Sequence, residues 1–415
     1  MLSSLSNLYI FLRRKIGRMI LKEKVLQLSE QWHKDIIRMR EWLHQHPELA
    51  FQENATADYI CQFLDKQEIT YERGVAKTGI VGIIEGKNPQ KKIIALRADM
   101  DALEIDEENT IPYKSLKTGV MHACGHDVHM ASLMGTLAIL NQLKEEFEGT
   151  IKFIFQPSEE KYPGGASVMI KEGVLENPKP ESILGQHVFP ELEAGKVGFR
   201  KGKYMASTDE IYLDVRGKGG HGGLPHRVVD TVLIASHIIV ALQQISSRKA
   251  NPTMPTVLSF GRFIANGQTN VIPNHVRIEG TMRTFDEEWR KQMHQEIKTI
   301  ASGIAKSMGA ECEVGIGHGY PFVDNDEALT ERAIQAAREL LGKENVIDLD
   351  MRMTGEDFSF YTQEMPGTFY RLGTANFEKG ITSNLHTSTF DIDSKSLIIG
   401  PALMAWIALK ELKQV

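Results

Sequence analysis

Cysteine is scarce in this 415-residue chain: Cys61, Cys124 and Cys312 are three in number and far apart. An odd, scattered set cannot build a disulfide framework, so a reducing interior is the natural setting and a cytoplasmic location the expectation. No run of 18 or more apolar residues occurs, which leaves no transmembrane helix and no reason to expect a membrane partner. Basic excess is missing too: 48 Lys and Arg face 54 Asp and Glu, a formal charge of −6, so nothing points to nucleic acid. Internal repeats and low-complexity tracts are also absent. What remains, 42% hydrophobic and 25% charged, is the composition of a globular protein, and its length exceeds what one ordinary core serves. Two domains are expected.

The first residues stand apart. Arg13, Arg14, Lys15 and Arg18 come before any acid, after the apolar run Leu8–Leu12. A secretory signal has the opposite order, so residues 1–19 are expected to be a disordered extension, with a transit-like arm as the alternative. From Lys24 to Leu43 apolar residues recur near helical spacing, and a second helix is expected over Ala55–Asp65. Gly79–Glu85 and Lys92–Ala98 read as strands, then a helix from His126 or Asp127 to about Phe147. The strand Thr150–Phe155, the short helix Ala166–Glu172 and the strand Ser182–Gln186 follow. Such alternation predicts an α/β catalytic domain with a mixed, largely parallel sheet and helices on both faces.

After about Tyr204 the pattern changes. Ile211, Leu213 and Val215 alternate with polar neighbours, as in a sheet with one solvated face. The order strand (Glu210–Arg216), helix (Val228–Ser246), strands (Thr256–Phe263, Val276–Arg283), helix (Asp286–Met308), strand (Cys312–Ile316) is the ferredoxin-like split pattern. Alternation of the first kind returns from Glu327. An α+β domain over 204–318 is thus expected as an insert in a discontinuous first domain, 20–203 and 319–415.

Candidate chemistry gathers where predicted strands end, the place ligands favour in open α/β sheets. The strand ending at Ala98 runs into Asp99-Met100-Asp101, and the one ending at Phe155 into Gln156-Pro157-Ser158-Glu159-Glu160. The strand ending at Gln186 delivers His187, and the segment Ser383–Leu385 delivers His386. Cys124-Gly125-His126 opens a helix. Taken singly, each has a plain explanation: a buried small cysteine, a solvated glutamate pair, a core or surface histidine. Together they make a set of thiolate, imidazole and carboxylate donors that suits Zn²⁺, Mn²⁺ or Co²⁺ better than Mg²⁺ or Ca²⁺.

The same residues carry a resemblance. His46-Pro47-Glu48-Leu49, Leu96–Leu103, His122-Ala123-Cys124-Gly125-His126-Asp127, Pro157-Ser158-Glu159-Glu160, Gly185-Gln186-His187, Gly219–His226, Asn270-Val271-Ile272-Pro273, Gly355-Glu356-Asp357-Phe358 and Leu385-His386 follow one another as in the M20 metallopeptidase/amidohydrolase family. The chain resembles most the subgroup of aminoacylases, hippurate hydrolases and auxin-conjugate hydrolases. The resemblance implies two divalent metal ions held by Cys124, His126, Glu160, His187 and His386, with the Cys124 thiolate a bridging candidate and Glu159 the general base. Asp99, Asp101 and Asp127 are then supporting carboxylates, a common role behind ligand histidines. The insert resembles the family's lid or dimerisation domain, where His221 stabilises the oxyanion and Asn270 and Arg283 bind carbonyl or carboxylate groups. Two departures lie near the substrate: Thr387-Ser388 replaces a frequent Asn-Pro, and the stretch 159–165 is a subtype variant.

The implied reaction is hydrolysis of an N-acyl-L-amino acid, a small-molecule substrate, in a homodimer paired through the lid. A dipeptidase or carboxypeptidase of the same family is the in-class alternative. A metal-dependent binding protein is the alternative from another class, and the intact Glu159 argues against it, since binding alone needs no base.

Overall fold

A computed structural model of the chain describes the backbone of residues 2–413 and the side chains of 20–413. The extension over 1–19, expected to be disordered, belongs by its backbone from residue 2 to the helix Leu2–Gln45; its side chains lie outside the described ones. The chain divides into two compact units: 1–202, 324–350 and 360–415 form the first, and 203–323 with 351–359 the second. The piece 351–359, which the sequence pattern leaves with the first domain, thus belongs with the insert.

The first unit is built on an eight-stranded mixed sheet. Its strand order is Tyr71–Val75, Gly79–Glu85, Thr150–Gln156, Ile93–Asp99, Ser182–Glu193, Gly367–Ala375, Val197–Phe199 and Val346–Asp348. The four strands from Thr150–Gln156 to Gly367–Ala375 run parallel to one another. Every residue of Thr150–Gln156 and of Gly367–Ala375 is buried, so both faces of the sheet are covered, as near-continuous apolar strands require. The helices Leu2–Gln45, His126–Gln142, Glu327–Leu341 and Ser396–Leu412 pack with the sheet into one core that includes Ile36, Leu133, Leu137, Leu372 and Trp406.

The second unit carries a four-stranded antiparallel sheet in the order Val257–Ile264, His275–Arg283, Asp209–Arg216, Glu311–His318. The helices Thr231–Leu242 and Glu287–Ser307 bury Ile234, Ile238, Met293 and Ile297 with the inward residues Ile211, Leu213 and Val215. Strand sequence and sheet order together are those of the ferredoxin-like split motif, so the expected fold class holds for both units.

Two expectations fail in ways that bear on the site. The strand predicted to end at Gln186 runs on to Glu193, so His187 lies inside a strand rather than beyond its end. Ser383–Leu385 is not a strand at all; His386 sits on a loop tied down by its own N–H, which donates to the Ala123 carbonyl at 2.9 Å. A sequence window sees neither. The first strand is extended by parallel pairing with Gly367–Ala375, and the loop by a tie from the segment ahead of Cys124.

Candidate metal centre

Gly125 explains why Cys124 and His126 can face one site. Its φ of +78° is left-handed, and a Cβ there would come within 2.5 Å of Val188 Cγ2. Only glycine meets both demands, and the turn it makes opens the helix His126–Gln142 with His126 in its first position. Ser158 and His386 are also left-handed, at φ 54° and 60°, without glycine's freedom. Such strain persists where surrounding structure over-determines it, and here it marks the two loops that bring Glu159-Glu160 and His386 to the site.

The five residues converge. Cys124 Sγ lies 3.5 Å from His187 Nε2 and 3.4 Å from His386 Nε2. Glu160 Oε1 lies 3.2 Å from His386 Nε2 and 4.0 Å from His126 Nε2, and Glu159 Oε2 is also 4.0 Å from His126 Nε2. Two triads of ligand atoms share the thiol: Cys124, His126 and His187 on one side, Cys124, Glu160 and His386 on the other, each set within 4.8 Å. Thiol, imidazole and carboxylate atoms gathered this closely fit divalent cations, and these five residues could hold them.

Hydrogen bonds set the ligand tautomers. His126 Nδ1 donates to the Asp101 carbonyl at 2.8 Å, and His187 Nδ1 donates to the Val188 carbonyl at 2.8 Å. A carbonyl only accepts, so both rings carry a proton on Nδ1, and Nε2 is the nitrogen each could offer a metal. His126 Nε2 and Glu160 Oε1 are buried without a hydrogen-bond partner, although His386 stands within ion-pair distance of the latter. Buried, unpartnered ligand atoms of the right donor types fit a divalent cation.

The electrostatics agree. Burial opposes a charge on His126, yet Asp99, Asp101 and Glu160 together push its pKa up to about 10. Burial, followed by Glu160 and Glu159, holds the Cys124 thiol well above its usual range. Both shifts express surplus negative charge in a closed space. A bound cation reverses that logic and makes the thiolate the stable form.

The supporting carboxylates divide their work. Asp101 accepts the Glu159 N–H with one oxygen and the Glu160 N–H with the other, both at 2.9 Å. Asp99 accepts from Arg97 Nη1 at 2.6 Å and from His129 Nδ1 at 2.5 Å, and His129 Nε2 accepts the Val188 N–H at 2.9 Å. Asp127 meets Arg40 and His44, each at 2.8 Å. Burial opposes ionisation there, but these two partners hold its carboxyl well below the usual range.

Sequence reasoning missed Arg40, His44 and His129. Arg40 also reaches Asp391 at 3.0 Å, and His44 reaches Glu107 at 3.3 Å, so the long first helix is tied to the chain that follows His386. In the departing dipeptide, Ser388 Oγ donates to Glu108 at 2.8 Å and its carbonyl accepts the Glu108 N–H at 2.8 Å. Thr387-Ser388 therefore has its own anchor for the His386 loop.

In the second unit, His221 and Asn270 come together. The two-residue strand Gly220–His221 pairs with Val271–Ile272, and the Asn270 carbonyl accepts the Gly222 N–H at 2.8 Å. His221 is exposed, and its Nδ1 accepts the Gly223 N–H at 3.0 Å. Arg283 ends the strand His275–Arg283 and donates from Nη1 to the Met282 carbonyl at 3.0 Å. No helix among the described residues is long and apolar enough to cross a membrane.

Known proteins resemble this chain over most of its length. The family model of peptidase family M20/M25/M40 matches residues 95–409. An N-acyl-L-amino acid amidohydrolase of Geobacillus stearothermophilus is 41% identical over 307 residues, 74% of this chain and 82% of that one. An N-acetylcysteine deacetylase of Bacillus subtilis is 37% identical over 388 residues, 93% of this chain and 99% of that one. Among solved structures, the Bacillus subtilis YXEP protein, a dinuclear metal binding peptidase from the M20 family, has a TM-score of 0.81 at 35% identity. It covers 93% of this chain and 100% of its own.

Proposed function

The chain belongs to peptidase family M20/M25/M40 and is a hydrolase of metal-dependent amide cleavage, and from that premise we propose that it hydrolyses N-acyl-L-amino acids at two divalent cations, with Glu159 as general base. The observation that carries this reading is the thiol of Cys124 shared by two ligand triads, with Glu159 beside them. Its donor set of sulfur, imidazole and carboxylate suits Zn²⁺ or Mn²⁺, with Co²⁺ also compatible. The names of the two relatives, one acting on N-acyl-L-amino acids and one on an N-acetyl amino acid, support the substrate class.

Bound there, two cations would lower the pKa of a water toward neutrality and polarise the amide carbonyl. Cys124, His126, Glu160, His187 and His386 would hold them. Glu159 takes the proton from the water and passes it to the departing amine nitrogen. Asp101 keeps the two glutamates in fixed relation, because the amides of both rest on its carboxylate. His221 donates to the developing oxyanion, while Asn270 and Arg283 bind the carbonyl and carboxylate of the substrate.

The active form in this proposal is a homodimer joined through the inserted domain. Val257–Ile264 is an edge strand of its sheet, and Leu233, Val240 and Phe263 are large apolar residues left exposed. Isolated edges and apolar stripes of this kind favour pairing with a second copy.

A panel of N-acetyl and N-benzoyl amino acids beside dipeptides, assayed with Zn²⁺ or Mn²⁺ and after chelation, tests the reading. Metal-dependent release of amino acid from the N-acyl substrates is the expected result. Dominant dipeptide cleavage would move the assignment to a dipeptidase or carboxypeptidase.

A further inference from the structure

Three consecutive backbone amides surround the proposed base, those of Ser158, Glu159 and Glu160. Asp101 receives the last two. The first belongs to Glu53, whose Oε1 accepts the Ser158 N–H at 2.9 Å. Glu53 stands just ahead of the helix Asn54–Lys66, 105 residues from Ser158 in sequence, and is fully buried. Its Oε1 also accepts the Phe51 N–H at 3.0 Å, and its Oε2 accepts the Thr78 hydroxyl at 2.6 Å. Burial pushes the Glu53 carboxyl up to about 7, and in either charge state Oε1 accepts both N–H groups while the Thr78 hydroxyl can donate to Oε2 or accept from it.

Ser158 needs such a partner. Its left-handed φ of 54° is costly for a residue other than glycine. From the other side, the Ser158 carbonyl accepts the Gly165 N–H at 2.7 Å, and Gly165 is so close that a Cβ would come within 1.7 Å of the Pro157 carbonyl. The residue before Glu159 is thus gripped at both its N–H and its carbonyl, in a conformation it would not hold alone.

We propose that Glu53 is a positioning residue for Glu159, acting through the Ser158 amide, so that two buried carboxylates from separate segments together hold the three amides of the base-bearing turn. The inference rests on the assignment of Glu159 as base. The side-chain hydrogen bonds of Glu53 go to Phe51, Thr78 and Ser158, none of them a proposed metal ligand, so its effect is on where the Glu159 carboxylate points.

The test uses the full chain loaded with Zn²⁺ or Mn²⁺ and N-acetyl-L-methionine as substrate, with bound metal, KM, kcat and melting temperature measured together. E53A is expected to lower kcat per bound metal by about 10- to 100-fold, the scale of an ångström misplacement, while KM and metal content stay near wild type. E53Q is expected to recover to within about 3-fold, since its carbonyl still accepts both N–H groups and the Thr78 hydroxyl can turn to accept. Should E53A fail to fold, E53D asks the same question, because the shortened acid cannot reach Ser158 and Thr78 together; kcat is expected to fall several-fold. Wild-type kcat per bound metal in E53A or E53D, whatever the melting temperature, would overturn the proposal and leave Glu53 a packing residue. E159Q runs beside them. Full activity there would remove the base assignment, whereas a null result at Glu53 alone leaves that assignment standing.

Discussion

At the scale of single residues, the site depends on atoms that would be poor choices for a solvent-facing surface. Cys124 is buried beside two glutamates and two histidines, where a thiol stays protonated unless a cation arrives. C124A therefore removes the atom common to both triads, and metal analysis of the purified variant should find fewer than two ions per chain with hydrolysis lost. Two tightly bound ions in C124A would contradict a bridging role. Arg40 is a second case, 2% exposed and set between Asp127 and Asp391. R40M should cost about 3–5 kcal/mol of unfolding free energy in denaturant titration, because Asp127 is left buried with one partner fewer. The difference in legibility between these residues has a physical reason. Glu159 and Glu160 stood out because adjacent acids directly after an apolar strand are odd, and Cys124 did so only in company with the other donor residues and the family resemblance. Arg40, His44 and Glu53 did not, since a charge on an amphipathic helix or near a helix start is ordinary until tertiary structure buries it.

At the scale of elements, strand periodicity and strand ends were legible, and what tertiary pairing adds was not. Asp99 and Gln156 end their strands, as the apolar runs before them imply. His187 sits mid-strand and His386 on a loop, because a neighbouring strand and an Ala123 carbonyl decide those cases. The turn into the helix His126–Gln142 gives the sharpest test of local design. G125A combines a left-handed φ with a contact 2.5 Å from Val188 Cγ2, so it should destabilise by about 1–3 kcal/mol and disturb both neighbouring ligands. A melting curve and a metal count on the same sample check it.

The last helix, Ser396–Leu412, is tied by Glu411, which meets Lys92 at 2.7 Å and Arg332 at 2.8 and 2.9 Å. Burial opposes its charge, but Arg332 and Lys92 more than offset that and hold the carboxyl below its usual range. A carboxyl depressed by folding adds stability that is present above its unfolded pKa, about 4.3, and is lost as pH falls through the folded value. Wild type should therefore exceed E411Q by about 1.5–3 kcal/mol at pH 7, with the gap narrowing on acidification. A gap independent of pH would show that packing rather than charge makes the contribution.

At the scale of the whole molecule, the two units answer different questions. The first presents a site whose donor types were readable from the sequence. The second was readable as a ferredoxin-like insert from the order of its elements, although the segment 351–359 joins it from far along the chain. Its exposed Leu233 and Val240 are expected to lie in the homodimer contact, so L233E/V240E should sediment as a monomer while wild type sediments as a dimer. The central claim is two-cation amide hydrolysis with Glu159 as base. It is met most directly by counting bound metal and measuring kcat on one N-acyl amino acid for wild type and E159Q together. Two ions per chain in both proteins, with kcat in E159Q lower by about 10²- to 10⁴-fold, is the result predicted. Wild-type kcat in a fully loaded E159Q enzyme is the result that would contradict it.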